Sequence, residues 1–295
     1  MAEPLPGPGA GGPTTAVIVL ARDEAERIDR CLDAILGQSR PPGRVVVVDH
    51  GSRDGTAERV RARRDARVLL VAADARGGIA AARNTGVTAS NAAVLFFTDA
   101  DCAPHRRWLE EGLAALRDPA LAGVEGTTYY EAPTPATIRD SNTHQFGAGG
   151  YMTCNIAYRR ATLAAAGGFD PRFRCGHEDR ELAFRVRRLG TIGFQPAMVV
   201  AHQRKRHTVR GLWRLARRAQ DLVLFFKLHG RQPPCRGPLL YPGRLLTIFL
   251  PPLLLVRESI RSPRDLGFAA AFYLYMVLER LLIWQAALRR RIFVL

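Results

Sequence analysis

Three short strings carry the residues able to do chemistry. "FFTDADC" (96–102) ends an apolar run with two carboxylates one residue apart, Asp99 and Asp101. "RVVVVDH" (44–50) ends a second run on Asp49, and "GHEDRELAFRVRRLG" (176–190) places Glu178 and Asp179 at the head of a helical pattern. Such acids can be plain turn or first-turn helix residues. In an extended segment, however, side chains at i and i+2 project to the same side. Asp99 and Asp101 could then reach one hard divalent cation, Mg²⁺ or Mn²⁺, which takes oxygen ligands at about 2.1 Å. A carboxylate of the second kind, Asp179 or Glu178, could serve as a general base toward a hydroxyl.

The elements that must position these groups follow from the hydrophobic pattern. "TTAVIVL" from Thr14 is a β-branched apolar run and predicts a buried strand. "DEAERIDRCLDAILGQ" has Ile28, Leu32, Ile35 and Leu36 at helical spacing and ends at Gly37. "RVVVVDH", "RVLLVAA" and "AAVLFFTDADC" predict three more strands, with helices over 56–63 and in "GIAAARNTGVTAS" between them. Strands alternating with helices at this spacing imply βαβ units and a doubly wound, mostly parallel α/β sheet. Ligands of such sheets gather at the carboxyl ends of the strands, where Asp49, Asp99 and Asp101 all fall. Beyond a helix from Trp108 to Leu116, the stretch from Pro133 to Gly150 has no period and predicts a functional loop. A short helix in "RRATLAAAGGFD", a helix starting at "ED", a strand pair in "TIGFQPAMVV" and a basic helix in "TVRGLWRLARRAQDLVLFFKL" complete the pattern.

The chain has 295 residues, room for one full α/β domain and an appendage. It carries 43 Lys+Arg, nearly all arginine, against 27 Asp+Glu, for a net charge of +16. That balance points to a polyanionic partner; no nucleic-acid-binding motif is present, so nucleic acid is not the expected one. The five cysteines form no CxxC pair, which excludes a structural zinc framework and suggests reduced thiols. Residues 1–13, rich in Pro and Gly, predict a disordered leader without the apolar core of a signal peptide. The tail holds two apolar segments, 245–256 interrupted by Pro251 and Pro252, and 266–284 with Glu279 and Arg280 near its end. Arginines flank both ends of the second segment, which favours a tail lying on the anionic face of a membrane over one crossing it.

Taken in order, "TTAVIVLARDEAERIDRCLDAILGQSRPPGRVVVVDHGSRDGTAERV", "GGIAAARNTGV", "FFTDADC", "GGYMTCNIAYRRATLAAAGGFD" and "GHEDRELAFRVRRLG" resemble family 2 glycosyltransferases over roughly Thr14 to Val200. The resemblance implies a GT-A fold, with the catalytic domain over 14–207, and a nucleotide-diphospho-sugar donor held with Mg²⁺ or Mn²⁺. It implies Asp101 as direct metal ligand and Asp99 as a group facing the ribose and the metal's waters, with His202 a further ligand as in some relatives. Asp49, Glu24 and Arg22 fall in the nucleoside pocket, Arg83 and Asn84 of the ARN motif at base or diphosphate, and Asn155 in the donor site. Asp179 is the implied general base of an inverting transfer, with Glu178 beside it. Two departures stand out: Arg22-Asp23-Glu24 replaces the family's Tyr-Asn-Glu, and His50 stands where a second aspartate is common. "QRKRH" (203–207) lacks the tryptophan of processive members, which argues against a polymer synthase. The expectation is transfer of a single sugar to a lipid-linked or small-molecule acceptor at the cytoplasmic face of the cell membrane, with residues 208–295 as a membrane-associated tail. An inactive donor-binding scaffold is the rival reading. A nucleotidyltransferase is a weaker one, since "LARDEAE" has no glycine after the first strand.

Overall fold

The computed structural model describes residues 14–131, 137–140, 145–203, 206–230, 235–236, 239–254 and 260–294. The expected leader over 1–13 lies outside the described residues, as does much of the loop expected over 133–150. The chain divides into two compact units: one is Met1–Glu131, Thr143–Arg174 and Glu178–Gln203, the other Ala132–Asn142, Cys175–His177 and Arg204–Leu295.

In the first unit, strands β1 (Thr15–Ala21), β2 (Arg44–Asp49), β3 (Val68–Ala72) and β4 (Val94–Asp99) run parallel in the order β3-β2-β1-β4. Helices α1 (Ile28–Leu36), α2 (Thr56–Ala62) and α3 (Ile79–Thr88) provide the crossovers. This is the alternation that the β-branched runs predict. Beyond β4 the sheet becomes mixed. β7 (Ile156–Arg159) is antiparallel to β4 and to β6 (Leu121–Glu131), β8 (Thr191–Gln203) is parallel to β6, and β5 (Cys102–Pro104) is antiparallel to β8. Helices α4 (Trp108–Ala115), α5 (Arg160–Ala165) and α6 (Glu178–Val186) complete the unit.

Two expectations change here. "TIGFQPAMVV" is one long strand, β8, whose register slips so that Gln195 and Val199 oppose the consecutive residues Gly126 and Thr127. Pro196 has no N–H to give a ladder, and the extra residues bulge around it. Asp99 and Asp101 do not share one extended segment: β4 stops at Asp99, Ala100–Asp101 forms a turn, and β5 starts at Cys102.

Strand side chains alternate between two buried faces. Val17, Val19, Val45, Val47, Val94 and Phe96 pack with Ile28, Cys31, Leu32 and Ile35 of α1 and with Trp108, Leu109 and Leu113 of α4. On the alternate positions, Phe97 meets Phe169 and Tyr158 edge-on, at ring centroid distances of 5.4 and 6.2 Å. Helix α3 is seated here by Gly86, where a Cβ would fall 2.5 Å from Ile18 Cγ2 and 2.8 Å from Val48 Cγ2. That close approach fixes the height of the helix carrying Arg83.

The second unit contains helices α7 (Val209–His229), α8 (Pro242–Phe249) and α9 (Pro263–Arg290) and a two-stranded hairpin, β9 (Cys235–Arg236) with β10 (Leu239–Leu240). Its core is built from Ile138, Leu212, Ala216, Leu254, Phe268, Phe272, Tyr275 and Met276. α9 has 28 residues and a window of mean hydropathy 1.6, long and apolar enough to cross a membrane by length and composition alone. Glu279 and Arg280 of α9 are buried within the unit, while Leu274, Leu281 and Leu288, seven residues apart, are exposed.

Replacing Gly86 by Val should cost about 1–3 kcal/mol, because neither Ile18 nor Val48 can move without disturbing the sheet. Urea unfolding of the Gly86→Val variant measures it; an unchanged midpoint would show that α3 is not held at this contact.

Candidate active site

The site is assembled at the carboxyl end of β4. Asp99 closes that strand, and its carboxylate Oδ1 accepts a bond from Arg83 Nη2 at 3.1 Å. Arg83 Nη1 is bonded in turn to Glu178 Oε1, at the first position of α6. Sequence places these residues far apart, and backbone contacts bring them together. Ile79 N–H, at the start of α3, donates to Arg174 O, and Gly78 accepts Arg174 at van der Waals range only because it has no Cβ and takes a φ of 86°. One turn into α3, the Asn84 side chain clamps Phe169 on both backbone groups, accepting from its N–H at 2.9 Å and donating to its carbonyl at 2.7 Å. The chain leading to Glu178 is thereby laid along α3, and Arg83 meets it.

Arg83 is 3% exposed and Glu178 2%. Burial works against the guanidinium's charge, but Glu178 first and Asp99 next outweigh it and hold the Arg83 pKa above its ordinary value. Asp179, next along α6, is half-buried, and its Oδ1 accepts from the Arg180 N–H at 2.7 Å.

Asp101 points elsewhere. The turn that ends β4 sends β5 antiparallel along β8, opposing Cys102 to His202, and Gln203 N–H donates to Asp101 O at 2.8 Å. This register brings His202 Nε2 to 3.6 Å from Asp101 Oδ1. His202 Nδ1 lies 2.9 Å from the carbonyl of Gln203, so in the neutral ring Nδ1 carries the proton and the Nε2 lone pair faces a carboxylate oxygen. Two acceptors set face to face just beyond hydrogen-bond reach are a fitting seat for a cation with oxygen and nitrogen ligands, as Mg²⁺ or Mn²⁺ would be. Cys102 Sγ is near both atoms, but burial pushes its thiol well up, and a buried neutral thiol suits a hard ion poorly. Tyr130 packs on the His202 ring at 4.8 Å. Sequence reasoning missed Tyr130, since "TTYYE" signals only a strand.

Residues 16–176 match the family described as Glycosyl transferase family 2. The chain belongs to this family. Among curated relatives, glycosyltransferase AglE of Haloferax volcanii is 38% identical over 132 residues, 43% of this chain and 43% of that protein. The pre-mycofactocin glycosyltransferase of Mycobacterium tuberculosis is 28% identical over 272 residues, 85% of this chain and 55% of that protein. The chain thus spans about half the length of the curated relatives it matches. A solved mannosyltransferase from Pyrobaculum calidifontis, in complex with GDP-Man and Mn²⁺, superposes with a TM-score of 0.61 at 22% identity, covering 96% of this chain and 89% of that one. The sheet described above is therefore a GT-A fold.

Three residues expected at the donor also hold the protein's own groups together. Arg83 is pinned between Glu178 and Asp99, and both ends of the Asn84 amide are spent on Phe169. Asn155 is fully buried; Trp108 Nε1 donates to its Oδ1 at 2.8 Å, and its Nδ2 donates to Thr127 O and Met198 O. All three brace the walls of the site. Glu178 pairs with Arg83 in the core. Asp179 is the more exposed acid of the pair.

The expected nucleoside pocket lies at the ends of β1 and β2. Arg22 is exposed, and Glu24 is buried with its N–H on Thr56 Oγ1 at 2.9 Å. Asp49 Oδ1 accepts from the Ser52 N–H at 3.1 Å. Asp23, with a φ of 55°, ties two loops together by bonding Ser52 through its N–H and Arg53 through its carboxylate. His50 is buried there, and its Nε2 has no hydrogen-bond partner among the described residues.

Burial, and Arg22 after it, lower the His50 pKa below its ordinary 6.5. The folded chain holds the ring neutral, while the unfolded chain takes a proton as pH falls through that value. His50 therefore costs stability progressively as pH drops from about 6.5 toward the lower folded pKa. Urea titrations of wild type and His50→Gln at about pH 7.5 and about pH 5.5 should show the wild type losing more stability on acidification than the variant. Equal losses would mean that the ring is not held neutral.

Proposed function

We propose that the chain is a metal-dependent, inverting glycosyltransferase that moves one sugar from a nucleotide-diphospho-sugar to an acceptor at a membrane, lipid-linked or otherwise related to the cell envelope. The observation that carries this reading is the facing pair Asp101 and His202, set 3.6 Å apart beside Asp99. They would hold Mg²⁺ or Mn²⁺ between them, and the ion bound there would neutralise charge on the departing diphosphate. The solved relative with GDP-Man and Mn²⁺ supports a donor and ion of this kind.

The protein's own groups account for the rest. Asp49, Glu24 and Arg22 line the nucleoside end. Asp99, oriented by Arg83, presents its carboxylate to the donor's ribose and to water around the ion. Asp179 takes the proton from the acceptor hydroxyl as its oxygen bonds to the anomeric carbon and the bond to the diphosphate oxygen breaks, which inverts the configuration. Arg83 keeps Glu178 and Asp99 apart and compensated, so that Asp179 is the carboxylate left to work. The catalytic domain is assigned to 14–207. The tail over 208–295 lies on the anionic inner face of the cell membrane, its exposed Leu274, Leu281 and Leu288 next to Arg289, Arg290 and Arg291.

The test is release of nucleoside diphosphate from a panel of UDP-, GDP- and dTDP-sugars with Mn²⁺ or Mg²⁺, with and without membrane lipid extract. One donor should turn over only with metal and faster with lipid. Asp179→Asn should lower kcat by about 10²–10⁴-fold while nucleotide binding persists, and Asp101→Asn should abolish metal-dependent nucleotide binding. Failure of any nucleotide to bind in the presence of metal would sink the proposal in favour of a different role for the Asp101–His202 pair.

A further inference from the structure

The second unit contains a charge arrangement that glycosyl transfer does not use. Arg244 reaches across from α8 to α9, where its Nη1 donates to both oxygens of Glu279, at 2.8 and 2.6 Å, and contacts Tyr275 OH at 3.1 Å. Tyr275 OH donates to Glu279 Oε1 at 2.7 Å, so this carboxylate is fully engaged. The Arg244 guanidinium also covers the Tyr241 ring at 4.7 Å. Arg280, the next residue of α9, is 3% exposed and makes one hydrogen bond, from Nη2 to Leu240 O at 2.6 Å. Its Nε and Nη1 are buried with no hydrogen-bond partner among the described residues. Two guanidinium groups thus share one carboxylate, which leaves one positive charge uncompensated in an apolar interior. Desolvation pulls the Arg280 pKa down, Glu279 opposes it, and Arg244 adds to it.

A buried charge without a counter-ion is costly, and buried arginines in stable proteins are paired. The donors left over, Nε–H and Nη1–H, lie on different edges of the planar fork, and Nε–H shares its edge with the Nη2 that holds Leu240 O; an anion that displaces this carbonyl meets an Nε/Nη2 edge that matches two oxygens of a phosphate. A carboxylate ligand would suit the same fork. The exposed leucines on α9 and the apolar residues Leu246, Phe249 and Leu250 on and after α8 favour a phosphate that arrives on a lipid. The covering turn is itself under strain, since Tyr241, directly after the Leu240 carbonyl that holds Arg280, has a φ of 49°. An anion that engages Arg280 would release that carbonyl and let the turn relax.

We propose that Arg280, with Arg244 beside it, forms an anion site in the C-terminal unit that takes the phosphate of a lipid headgroup. The site is built entirely within the C-terminal unit and does not rest on the reading of Asp101, His202 or Asp179.

The test is thermal unfolding of the full chain with short-chain phosphatidic acid, with short-chain phosphatidylcholine, with inorganic phosphate, or with chloride at matched ionic strength. Phosphatidic acid should raise the wild-type midpoint by roughly 5 °C at saturation relative to phosphatidylcholine and chloride. Arg280→Gln should lose that increment, whereas Arg217→Gln, an exposed arginine of α7 in the same unit, should keep it. Should Arg280→Gln fail to fold, Arg280→Lys keeps the charge but lacks the unpartnered guanidinium donors, and its response should be several-fold weaker than wild type. An increment from phosphatidic acid alone supports the lipid headgroup. An equal increment from inorganic phosphate keeps the anion site but overturns the lipid assignment. No anion-specific increment in the wild type, or a full increment in both Arg280 variants, overturns the site itself.

Discussion

Arg83 lies in the interior of the first unit, and a charge at that depth is tolerable only because carboxylates enclose it, Asp99 from the end of β4 and Glu178 from the start of α6. Most of the site depends on this contact. Asp99 is fixed in one orientation, which leaves the following turn to carry Asp101 away toward β8 and His202. Glu178 is spent on the pair, which leaves Asp179 as the acid of α6 with solvent access. Removing the guanidinium takes a counter-charge from two acids that are buried or half-buried, a loss that proteins relieve by protonation or by movement. The contact also explains why α3 must approach the sheet so closely at Gly86: the arginine four residues into α3's sequence has to reach both acids at once.

Much of this was legible in the sequence. The β-branched runs at 15–21, 44–49 and 94–99 become the parallel strands they predict, because a strand buried on both faces needs an unbroken apolar run. The placement of Asp49 and Asp99 at strand ends also follows from the pattern. The partner of Asp101 does not. His202 is about a hundred residues away, and only the antiparallel register of β5 on β8 opposes the two, a register set by a turn that the string "DADC" shares with many extended segments. The internal hydrogen bonds of Arg83, Asn84 and Asn155 were hidden for a different reason. Polar residues in a motif next to a ligand site can contact the ligand or support the wall behind it, and residue type is the same in both cases. Only the fold reveals the internal contacts: Asn155, fully buried, spends its amide on Trp108, Thr127 and Met198.

The C-terminal unit follows another logic. Its helices bury Glu279, Arg280 and Asp265 while leaving leucines exposed, the reverse of the usual distribution in water. The sequence showed the arginines flanking the apolar segment, but read Glu279 and Arg280 only as charges that argue against a membrane crossing. The fold turns them inward, where they meet Arg244 and the two tyrosines. The chain as a whole carries a net charge of +16, nearly all of its positive charge from arginine.

The central claim, that Arg83 and Glu178 form one coupled brace beneath the site, is tested most directly by a double-mutant cycle on unfolding free energy with Arg83→Met, Glu178→Gln and the double variant. Each single change should be strongly destabilising, about 3 kcal/mol or more for Arg83→Met, because it breaks a buried charge pair. The double variant should be more stable than the sum of the two predicts, by upward of about 1.5 kcal/mol. Additivity to within about 0.5 kcal/mol would contradict the account, since two residues that do not depend on each other cannot be the contact on which the site is built.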